Sequence, residues 1–378
     1  MTQSQHYKAL GPTAATSSAN LTDHLRLVHG VIASRYPDID RVALATYDAS
    51  TDSLSTFVSS NTDSVQLDHY TATLSKVPSL QRLAQMHQSR TVQDLNAAFS
   101  AARPHTQWLK SREYHSSFTI PVYHGDDLSG FLFFDSKKPM AFDAETSGFL
   151  EVFSSLISQL YLLQLQVIHG IVGTVHVASD LARIRDLETG QHLQRMAAYS
   201  RMMARELSRT QTISDEFIEY VFLFAPLHDI GKVGIPDRVL LKPGKLSAPE
   251  WDIMRRHVEI GVDIVDQMAK DLKLGNRMAF SVMHNIVAAH HERGDGSGYP
   301  RGLTMRDIPL EARIVAVADV YDALSNRRPY KEPWNQTQIR QELEREVTLG
   351  RLDPDCVLAL LGCEEQRDQI AQAHCDQP

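Results

Sequence analysis

Eight histidine and acidic side chains in the second half of the chain have the types and spacing to bind metal ions. They are Glu188, His192, His228, Asp229, His257, His290, His291 and Asp319. All three cysteines lie outside this set, so its ligand atoms are imidazole nitrogens and carboxylate oxygens. Such ligands favour iron, manganese or zinc in a hydrolytic cluster over a structural thiolate zinc site. The chain is therefore predicted to be a metallohydrolase.

Helices are predicted to position these ligands. Glu188 and His192 are four residues apart, so on one helix they would lie on the same face and could reach one metal ion. Ser214, followed by two acidic residues, is typical of a helix N-terminus. That helix would run towards His228 and Asp229 and would be kinked by Pro226.

The remaining ligands are assigned to three further helices. Ser247 and Glu250 form a capping box with Pro249 in the first turn, which predicts the start of the helix carrying His257. Residues 280–291 form the next predicted helix, and residues 310–324 form one carrying Asp319. Five helices would thus each deliver one or two ligands inward, as in helical bundles that build metal sites.

The composition limits the remaining possibilities. With 378 residues, of which 43% are hydrophobic, the chain can form two domains with substantial cores. Its net charge of -8 argues against broad binding to duplex nucleic acid, so a small-molecule partner is expected. Three cysteines near the C-terminus favour a reducing cytoplasm over a disulfide framework. The N-terminal residues show no apolar segment typical of a secretory signal.

The N-terminal half is predicted to contain both strands and helices. Strands are expected at 42–47 and 54–59, with a hairpin over 117–135, and helices at 21–35 and 74–88. The order of helix, strands, helix, hairpin and long exit helix over about 21–161 resembles a GAF-type sensor domain. A PAS-like or purely structural domain is the alternative. The resemblance implies an antiparallel sheet with helices packed on it and an unknown signal ligand.

An apolar stretch over 149–178 connects the two halves. Its polar interruptions and helical spacing favour an amphipathic helix over a membrane span. The spacing of a coiled-coil seam is followed by Phe153, Leu156, Leu160, Leu163 and Val167. Steps of four residues from Leu163 to Val175 then disturb the heptad repeat, which indicates a stutter. Two interpretations remain open: a core helix packed on its own domain, or a dimer-forming signalling helix in a homodimer.

Two longer motifs make the C-terminal pattern specific. They are HDIGK at 228–232 and HHERGDGSGYP at 290–300. With ETGQH, LKPGKLS, IPLEARIVAVADVYDAL and RPYK, the region 187–354 resembles an HD-GYP domain, the class of HD phosphodiesterases acting on cyclic di-GMP. The predicted fold class is α+β: a flexible stretch at 1–20, a GAF-like α/β sensor domain at 21–142, a connecting helix at 143–185 and an all-α HD-GYP bundle at 186–378.

The resemblance also implies roles for single residues. Asp229 takes the place of the ligand that bridges two metal ions, and Glu188 and His192 match further ligands found in trinuclear members. Two or three divalent ions, iron or manganese, are therefore expected. Residues matching those that contact substrate are Lys232, Tyr299, Arg328 and Lys331. Asp229 and Lys232 are the expected catalytic residues.

The expected chemistry is attack on a phosphodiester by metal-activated hydroxide. The products would be linear pGpG, GMP or both. Alternatives are hydrolysis of cyclic GMP-AMP, a general nucleotide phosphohydrolase and a cyclic dinucleotide receptor without turnover. Asp322 is expected to support a ligand, and His284 to be structural. Gly294 departs from the aromatic residue often found there, which would loosen the rim of the pocket.

Overall fold

The computed structural model describes residues 21–49, 51–63, 67, 69–99, 104–183, 190–271, 277–326 and 333–374. The chain divides into two compact units. The first contains the described residues up to Leu163 together with Arg277, and the second contains the other described residues from Gln164 onward.

The first unit is built on an antiparallel six-stranded sheet of order β3-β2-β1-β6-β5-β4. The strands are β1 (Arg41–Asp48), β2 (Ser53–Asn61), β3 (Thr71–Thr73), β4 (Arg90–Val92), β5 (Ser116–His124) and β6 (Asp127–Ser136). The predicted strands at 42–47 and 54–59 and the hairpin at 117–135 are all present. The tight β5–β6 turn contains Gly125, whose positive φ of 62° suits a residue without Cβ.

Helices pack on this sheet in the predicted order. They are α1 (Leu21–Arg35), α2 (Pro78–Met86), α3 (Leu95–Ala98) and α4 (Pro104–Ser111). The sequence predicted α1 with these limits, whereas the helix expected at 74–88 is divided into a 3-10 turn at Leu74–Lys76 and α2. The division follows from Pro78, which lacks a backbone N–H and is tolerated in the first turn of a helix. The sheet with its packed helices is the arrangement that the GAF-like resemblance implies.

The helix α5 spans Ala144–Arg183, 40 residues. Leu150, Ile157 and Tyr161 are buried on one side of it, and the Tyr161 hydroxyl donates to the carbonyl of Ser129. In the part of the chain described, Ala144–Gln166 is the segment long and apolar enough to cross a membrane by length and composition. Its packing through these buried residues matches the amphipathic helix that the spacing indicated.

In the described part of the second unit the regular secondary structure is helical, apart from an isolated β-bridge between Asp295 and Thr304. Its helices are α6 (Gly190–Leu207), α7 (Asp215–Phe224), α8 (Asp237–Leu240), α9 (Ala248–Arg255), α10 (His257–Asp271), α11 (Arg277–Ala289), α12 (Leu310–Ser325), α13 (Gln336–Thr348), α14 (Pro354–Gly362) and α15 (Glu364–Ala373). The long α6 packs against α7, α12, α14 and α15, and Tyr199 meets Tyr321 edge to face at 5.1 Å between ring centroids. This arrangement is the predicted helical bundle.

Two predicted helix starts are confirmed in detail. The Ser214 side chain accepts from the backbone N–H of Phe217, and Ser247 and Glu250 form the reciprocal capping box. The helix starting at Ser247 does not carry His257, however. It ends at Arg255, and a new helix, α10, begins at His257. His290 and His291 likewise follow the end of α11 instead of lying within it.

Candidate metal centre

The predicted ligands in the described residues come from different parts of the bundle. His192 lies in the first turns of α6, and Asp319 in α12. His228 and Asp229 lie between two 3-10 turns, Ala225–Leu227 and Ile230–Gly234. The first of these turns follows α7 and contains Pro226, so the kink predicted before the ligands is present. The second turn packs closely against the backbone of His257. A Cβ on Gly231 would lie 1.8 Å from the carbonyl oxygen of His257, so this position needs a glycine.

These ligands form two groups that could each hold a metal ion. One consists of Asp229, His257, His290 and His291, and the other of His192, His228 and Asp319. Within each group the candidate ligand atoms all lie within 4.8 Å of one another. The groups are joined at Asp229, whose Oδ2 lies 3.1 Å from Nε2 of His228. Seven of the eight predicted ligands are therefore brought together.

The tautomers of three histidines are fixed by backbone carbonyls. Nδ1 of His228 donates to Ala225, Nδ1 of His257 to Met254 and Nδ1 of His290 to Ile286, at 3.0, 2.8 and 3.1 Å. A carbonyl oxygen can only accept, so each Nδ1 carries the proton and the neutral ring has its lone pair on Nε2. Metal-binding histidines commonly have this arrangement.

The Nε2 lone pairs converge on the Asp229 carboxylate. Nε2 of His257 and of His290 lie 3.0 and 3.6 Å from Oδ1 of Asp229. Two acceptors facing each other in a buried site need a cation between them or a protonated ring. Burial lowers the pKa of His290, which disfavours the protonated ring. The described ligands therefore fit divalent metal ions.

Asp229 is held in its ionised form. Burial acts to raise the pKa of this carboxyl, yet the pKa lies well below its usual range, and the Lys232 ammonium is the largest influence that lowers it. Nζ of Lys232 lies 2.9 Å from Oδ2 of Asp229. A carboxylate that stays ionised and presents two oxygens is suited to the bridging place predicted for it.

A buried carboxylate orients His192. Nδ1 of His192 donates to Oδ2 of Asp322 at 2.7 Å, which directs Nε2 towards His228 and Asp319. Arg195 donates through Nε to Oδ1 of Asp322 at 2.6 Å, and Asn326 donates to the same oxygen at 2.9 Å. The structure thus supports the expectation that Asp322 assists a ligand without binding metal. Sequence reasoning missed Arg195, although its position one turn after His192 was a signal.

The GYP segment is ordered by a residue that sequence reasoning also missed. Glu292 is buried, and its two carboxylate oxygens accept the backbone N–H groups of Arg301 and Leu303, both at 2.8 Å. These bonds close the loop around Tyr299, whose ring centroid lies 4.7 Å from that of His291. Burial raises the pKa of Tyr299, so the hydroxyl stays protonated and can donate. The Arg255 guanidinium lies 5.2 Å from the same ring centroid.

Gly294 does not loosen the loop as the sequence suggested. Its N–H donates to the carbonyl of Arg351, and its carbonyl accepts from the N–H of Met305. A Cβ at this position would lie 2.2 Å from Cε of Met305 and 2.6 Å from the carbonyl oxygen of Gly350. The missing side chain lets the backbone segments pack closely, so the expectation of a looser rim is wrong here.

Comparison with known protein families gives a match over the residues that form this centre. Residues 176–356 match the HD domain family. The C-terminal region of this chain is an HD domain. The HD family consists of metal-dependent phosphohydrolases, and the two ligand groups described above lie within the matched residues.

Several curated proteins are similar to the HD domain. The chain is 45% identical over 197 residues to the cyclic di-GMP phosphodiesterase response regulator RpfG of Xanthomonas campestris, covering 51% of this chain and 48% of that protein. It is 40% identical over 204 residues to a cyclic di-GMP phosphodiesterase of Thermotoga maritima, covering 54% and 52%. It is 44% identical over 169 residues to the 3'3'-cGAMP-specific phosphodiesterase 2 of Vibrio cholerae, covering 45% and 30%. The chain thus spans about half or less of these relatives.

Solved structures with similarity to this chain include GAF domains. The GAF domain/HD domain protein from Geobacter sulfurreducens is 12% identical and covers 38% of this chain and 92% of that chain, with a TM-score of 0.31. GAF3 from Slr1393 of Synechocystis is 18% identical and covers 39% and 96%, with a TM-score of 0.32. Both TM-scores are low, and the fold of the N-terminal unit rests on its own strand order.

Three predicted site residues of the HD domain lie outside the described residues. They are Glu188, Arg328 and Lys331. Their assignment to the site remains a prediction from the sequence. His284, expected to be structural, is in neither ligand group, and its Nε2 lies 3.8 Å from Oδ1 of Asp266.

Proposed function

We propose that the HD domain of this chain hydrolyses a phosphodiester bond of cyclic di-GMP. One observation carries the proposal: the Nε2 lone pairs of buried histidines converge on Oδ1, a buried oxygen of the ionised Asp229 carboxylate, within an HD domain. This arrangement suits divalent cations and supports hydrolysis over structural binding. The names of the relatives supply the substrate class.

We assign two metal positions to the described ligands. Asp229, His257, His290 and His291 would hold one ion, and His192, His228 and Asp319 the second, with Asp229 shared between them. Glu188 would complete a third position next to His192. Iron or manganese suits the nitrogen and oxygen ligands. Such ions supply an activated water and neutralise charge on the phosphate oxygens.

The protein's own groups position the substrate. Lys232 lies at the edge of the centre, where its ammonium can donate to a phosphate oxygen as negative charge develops. Tyr299 presents a protonated hydroxyl and a ring packed on His291, and the ring can pack on a sugar or base. Arg328 and Lys331 would bind the second phosphate.

A second substrate has similar support. The relative named as 3'3'-cGAMP-specific is 44% identical, within a few per cent of those named for cyclic di-GMP. We therefore keep 3',3'-cyclic GMP-AMP as the alternative. A receptor that binds without turnover would be expected to lack ligands, and every ligand position of the two described groups is occupied by a competent residue.

We further propose that the N-terminal unit is a GAF-like input domain that regulates hydrolysis through α5 in a homodimer. Val152, Leu156 and Leu163 support the dimer, because these apolar side chains of α5 are 69%, 49% and 61% exposed. Leu156 and Leu163 belong to the seam read from the sequence. The seam residues Val167 and Val175 have side chains outside the described part.

The test is turnover by protein purified without oxygen. Cyclic di-GMP and cyclic GMP-AMP are supplied separately, the products are resolved by chromatography, and metal content is measured on the same sample. The proposal expects linear dinucleotide or mononucleotide products from cyclic di-GMP. Binding of cyclic di-GMP without products, at full metal content, would contradict it.

A further inference from the structure

The last helix, α15, ends against the helix that carries His192. It starts at Glu364 and lies outside residues 176–356, which match the HD domain family. The backbone carbonyl of His374, the C-cap residue of α15, accepts a hydrogen bond from Nη1 of Arg195 at 2.8 Å. The last carbonyls of a helix have no partner within that helix, and Arg195 of α6 satisfies one of them. This contact joins the end of α15 to a helix of the metal centre.

The same guanidinium holds a carboxylate inside the bundle. Nε of Arg195 donates to Oδ1 of Asp322 at 2.6 Å, and Nη2 donates to Oδ2 at 3.1 Å. Both residues are buried. Oδ2 of Asp322 also accepts from Nδ1 of His192 at 2.7 Å. One guanidinium therefore contacts both the end of α15 and the carboxylate that orients His192.

Two further contacts fix α15 on the helices that surround this carboxylate. Nδ1 of the His374 ring donates to Oε1 of Gln194 on α6 at 3.0 Å. Nη1 of Arg367, a buried residue of α15, donates to the hydroxyl of Tyr321 on α12 at 3.3 Å. The helices α6 and α12 supply two of the three ligands in the second ligand group, which consists of His192, His228 and Asp319. The position of α15 is thus tied to the helices of that group.

The orientation of the His192 ring depends on how firmly Asp322 is held. A carboxylate that accepts through both oxygens from one planar guanidinium has little freedom to rotate. Loss of the acceptor that orients a metal-binding histidine typically lowers metal affinity by about 10- to 100-fold. The guanidinium is itself held by the His374 carbonyl through its remaining nitrogen, Nη1. A displacement of α15 would therefore disturb Arg195, and through it the support of His192.

We propose that α15 and the metal position formed by the second ligand group are energetically coupled through Arg195. Arg195 is a positioning residue that acts through Asp322, since a guanidinium has no lone pair to offer a metal ion. The proposal rests on the two metal positions assigned under the proposed function, and it does not depend on which cyclic dinucleotide is hydrolysed. Coupling is reciprocal: if packed α15 tightens the binding of the second ion, that ion stabilises the packing of α15 by the same factor.

The test measures metal binding and hydrogen exchange on the full chain without substrate. Metal-free protein, prepared with a chelator, is titrated with Mn²⁺, and free Mn²⁺ is followed by its electron paramagnetic resonance signal. Exchange of the backbone amides of α15 is measured by mass spectrometry with and without Mn²⁺. His192→Ala is the reference for loss of the second position, and His291→Ala is the reference for loss of the first.

Arg195→Met should weaken the binding of one Mn²⁺ ion by about 10- to 100-fold. The other ion should bind with the affinity found in His192→Ala. Arg195→Lys keeps a positive charge beside Asp322 but lacks the planar fork, so it should restore only part of the affinity. Arg205→Met is the matched control, because Arg205 lies on the same helix and pairs with Glu219 at 3.2 Å. It should bind both ions as the unmodified chain does.

Saturating Mn²⁺ should slow amide exchange in α15 of the unmodified chain. The expected factor is about 5- to 150-fold, the usual range for coupling between two sites. The slowing should be absent in Arg195→Met and His192→Ala and present in Arg205→Met.

A variant in α15 tests the coupling from its other end. Ala371 is exposed, so Ala371→Pro removes no buried side chain but disrupts the last turn of α15. This variant should bind the second ion more weakly, whereas Ala371→Ser should not. Because Ala371→Pro leaves Arg195 in place, it decides the question even where Arg195→Met does not fold.

Three results would overturn the proposal. The first is that Arg195→Met and Ala371→Pro bind both ions as tightly as Arg205→Met, and the second is that they weaken both ions equally, which indicates a general loss of structure. The third is that Mn²⁺ leaves the exchange of α15 unchanged, or that the unmodified chain binds only one ion. Coupling found in a protein that does not turn over cyclic di-GMP would contradict the proposed function alone.

Discussion

Nε2 of His257 lies 3.0 Å from Oδ1 of Asp229, while Nδ1 of the same ring donates to the carbonyl of Met254. The carbonyl fixes the proton on Nδ1, so the neutral ring directs a lone pair at a carboxylate. His257 begins α10 immediately after the break that follows α9, and this break sets the position of its ring. The local backbone geometry therefore positions the His257 ring against the Asp229 carboxylate without a bound ion.

Asp229→Ala should abolish hydrolysis and release metal. The substitution removes the carboxylate that we propose to be shared between the two metal positions, and with it a negative charge that would offset the cations. Far-ultraviolet circular dichroism should show that the helices persist. Asp252→Ala, an exposed carboxylate on α9, is the matched control and should keep metal and activity. Retained activity of Asp229→Ala at full metal content would show that Asp229 is not needed to bind the metal ions or for hydrolysis.

Asp322→Ala should weaken metal binding and destabilise the HD domain. His192 would lose the acceptor that orients its ring, which typically lowers metal affinity by about 10- to 100-fold. The buried Arg195 would lose its carboxylate partner, which costs about 3–5 kcal/mol. Metal titration and urea unfolding of the metal-free protein measure the two effects separately.

Two further variants separate the roles of Asp322. Asp322→Asn keeps an acceptor near His192 and should bind metal better than the alanine variant. Asp368→Ala, exposed on α15, should behave as the unmodified protein. If Asp322→Ala unfolds at the same urea concentration as this control, the Arg195 pair contributes nothing to stability.

The metal centre could be read from the sequence because its ligands occur in dense local motifs. Capping signals at Ser214 and Ser247 also fixed two helix starts, since those interactions involve residues only a few positions apart. The pair Arg195 and Asp322 could not be found this way, because 127 positions separate the residues and only the packing of α6 against α12 joins them.

Helix ends were less predictable than helix starts. The break between Arg255 and His257 has no glycine or proline to announce it, so the sequence suggested one continuous helix. The role of Gly294 was misread for a related reason. Its packing partners, Met305 and Gly350, lie 11 and 56 positions further along the chain, and their close approach to Gly294 is set by the folding of the loop.

Glu188→Ala should lower the metal content by about one ion per chain. The expectation rests on its spacing of four residues from His192, whose ring belongs to the second ligand group. Loss of that ion should slow the second cleavage more than the first, so linear dinucleotide should accumulate. Glu259→Ala, an exposed carboxylate on α10, provides the control. Unchanged metal stoichiometry would identify Glu188 as an ordinary surface residue.

Leu163→Lys should disrupt a dimer formed through α5 and alter the rate of hydrolysis. Leu163 is 61% exposed although its neighbour Leu162 is buried, so its apolar surface is available to a second copy of the helix. A lysine in such a seam would place two like charges at the interface. Ser155→Lys is the matched control, since Ser155 is exposed but about 80° around the helix from Leu163.

Light scattering of the three proteins at equal concentration distinguishes the two interpretations of α5. If the dimer becomes monomeric in Leu163→Lys and persists in Ser155→Lys, the exposed apolar side chains of α5 around Leu163 form the interface. Unchanged metal content would then show that the activity change arises through the helix, because Leu163 is not among the ligands. If the unmodified chain is monomeric at working concentration, α5 is a connector within one chain, and regulation must pass along that chain alone.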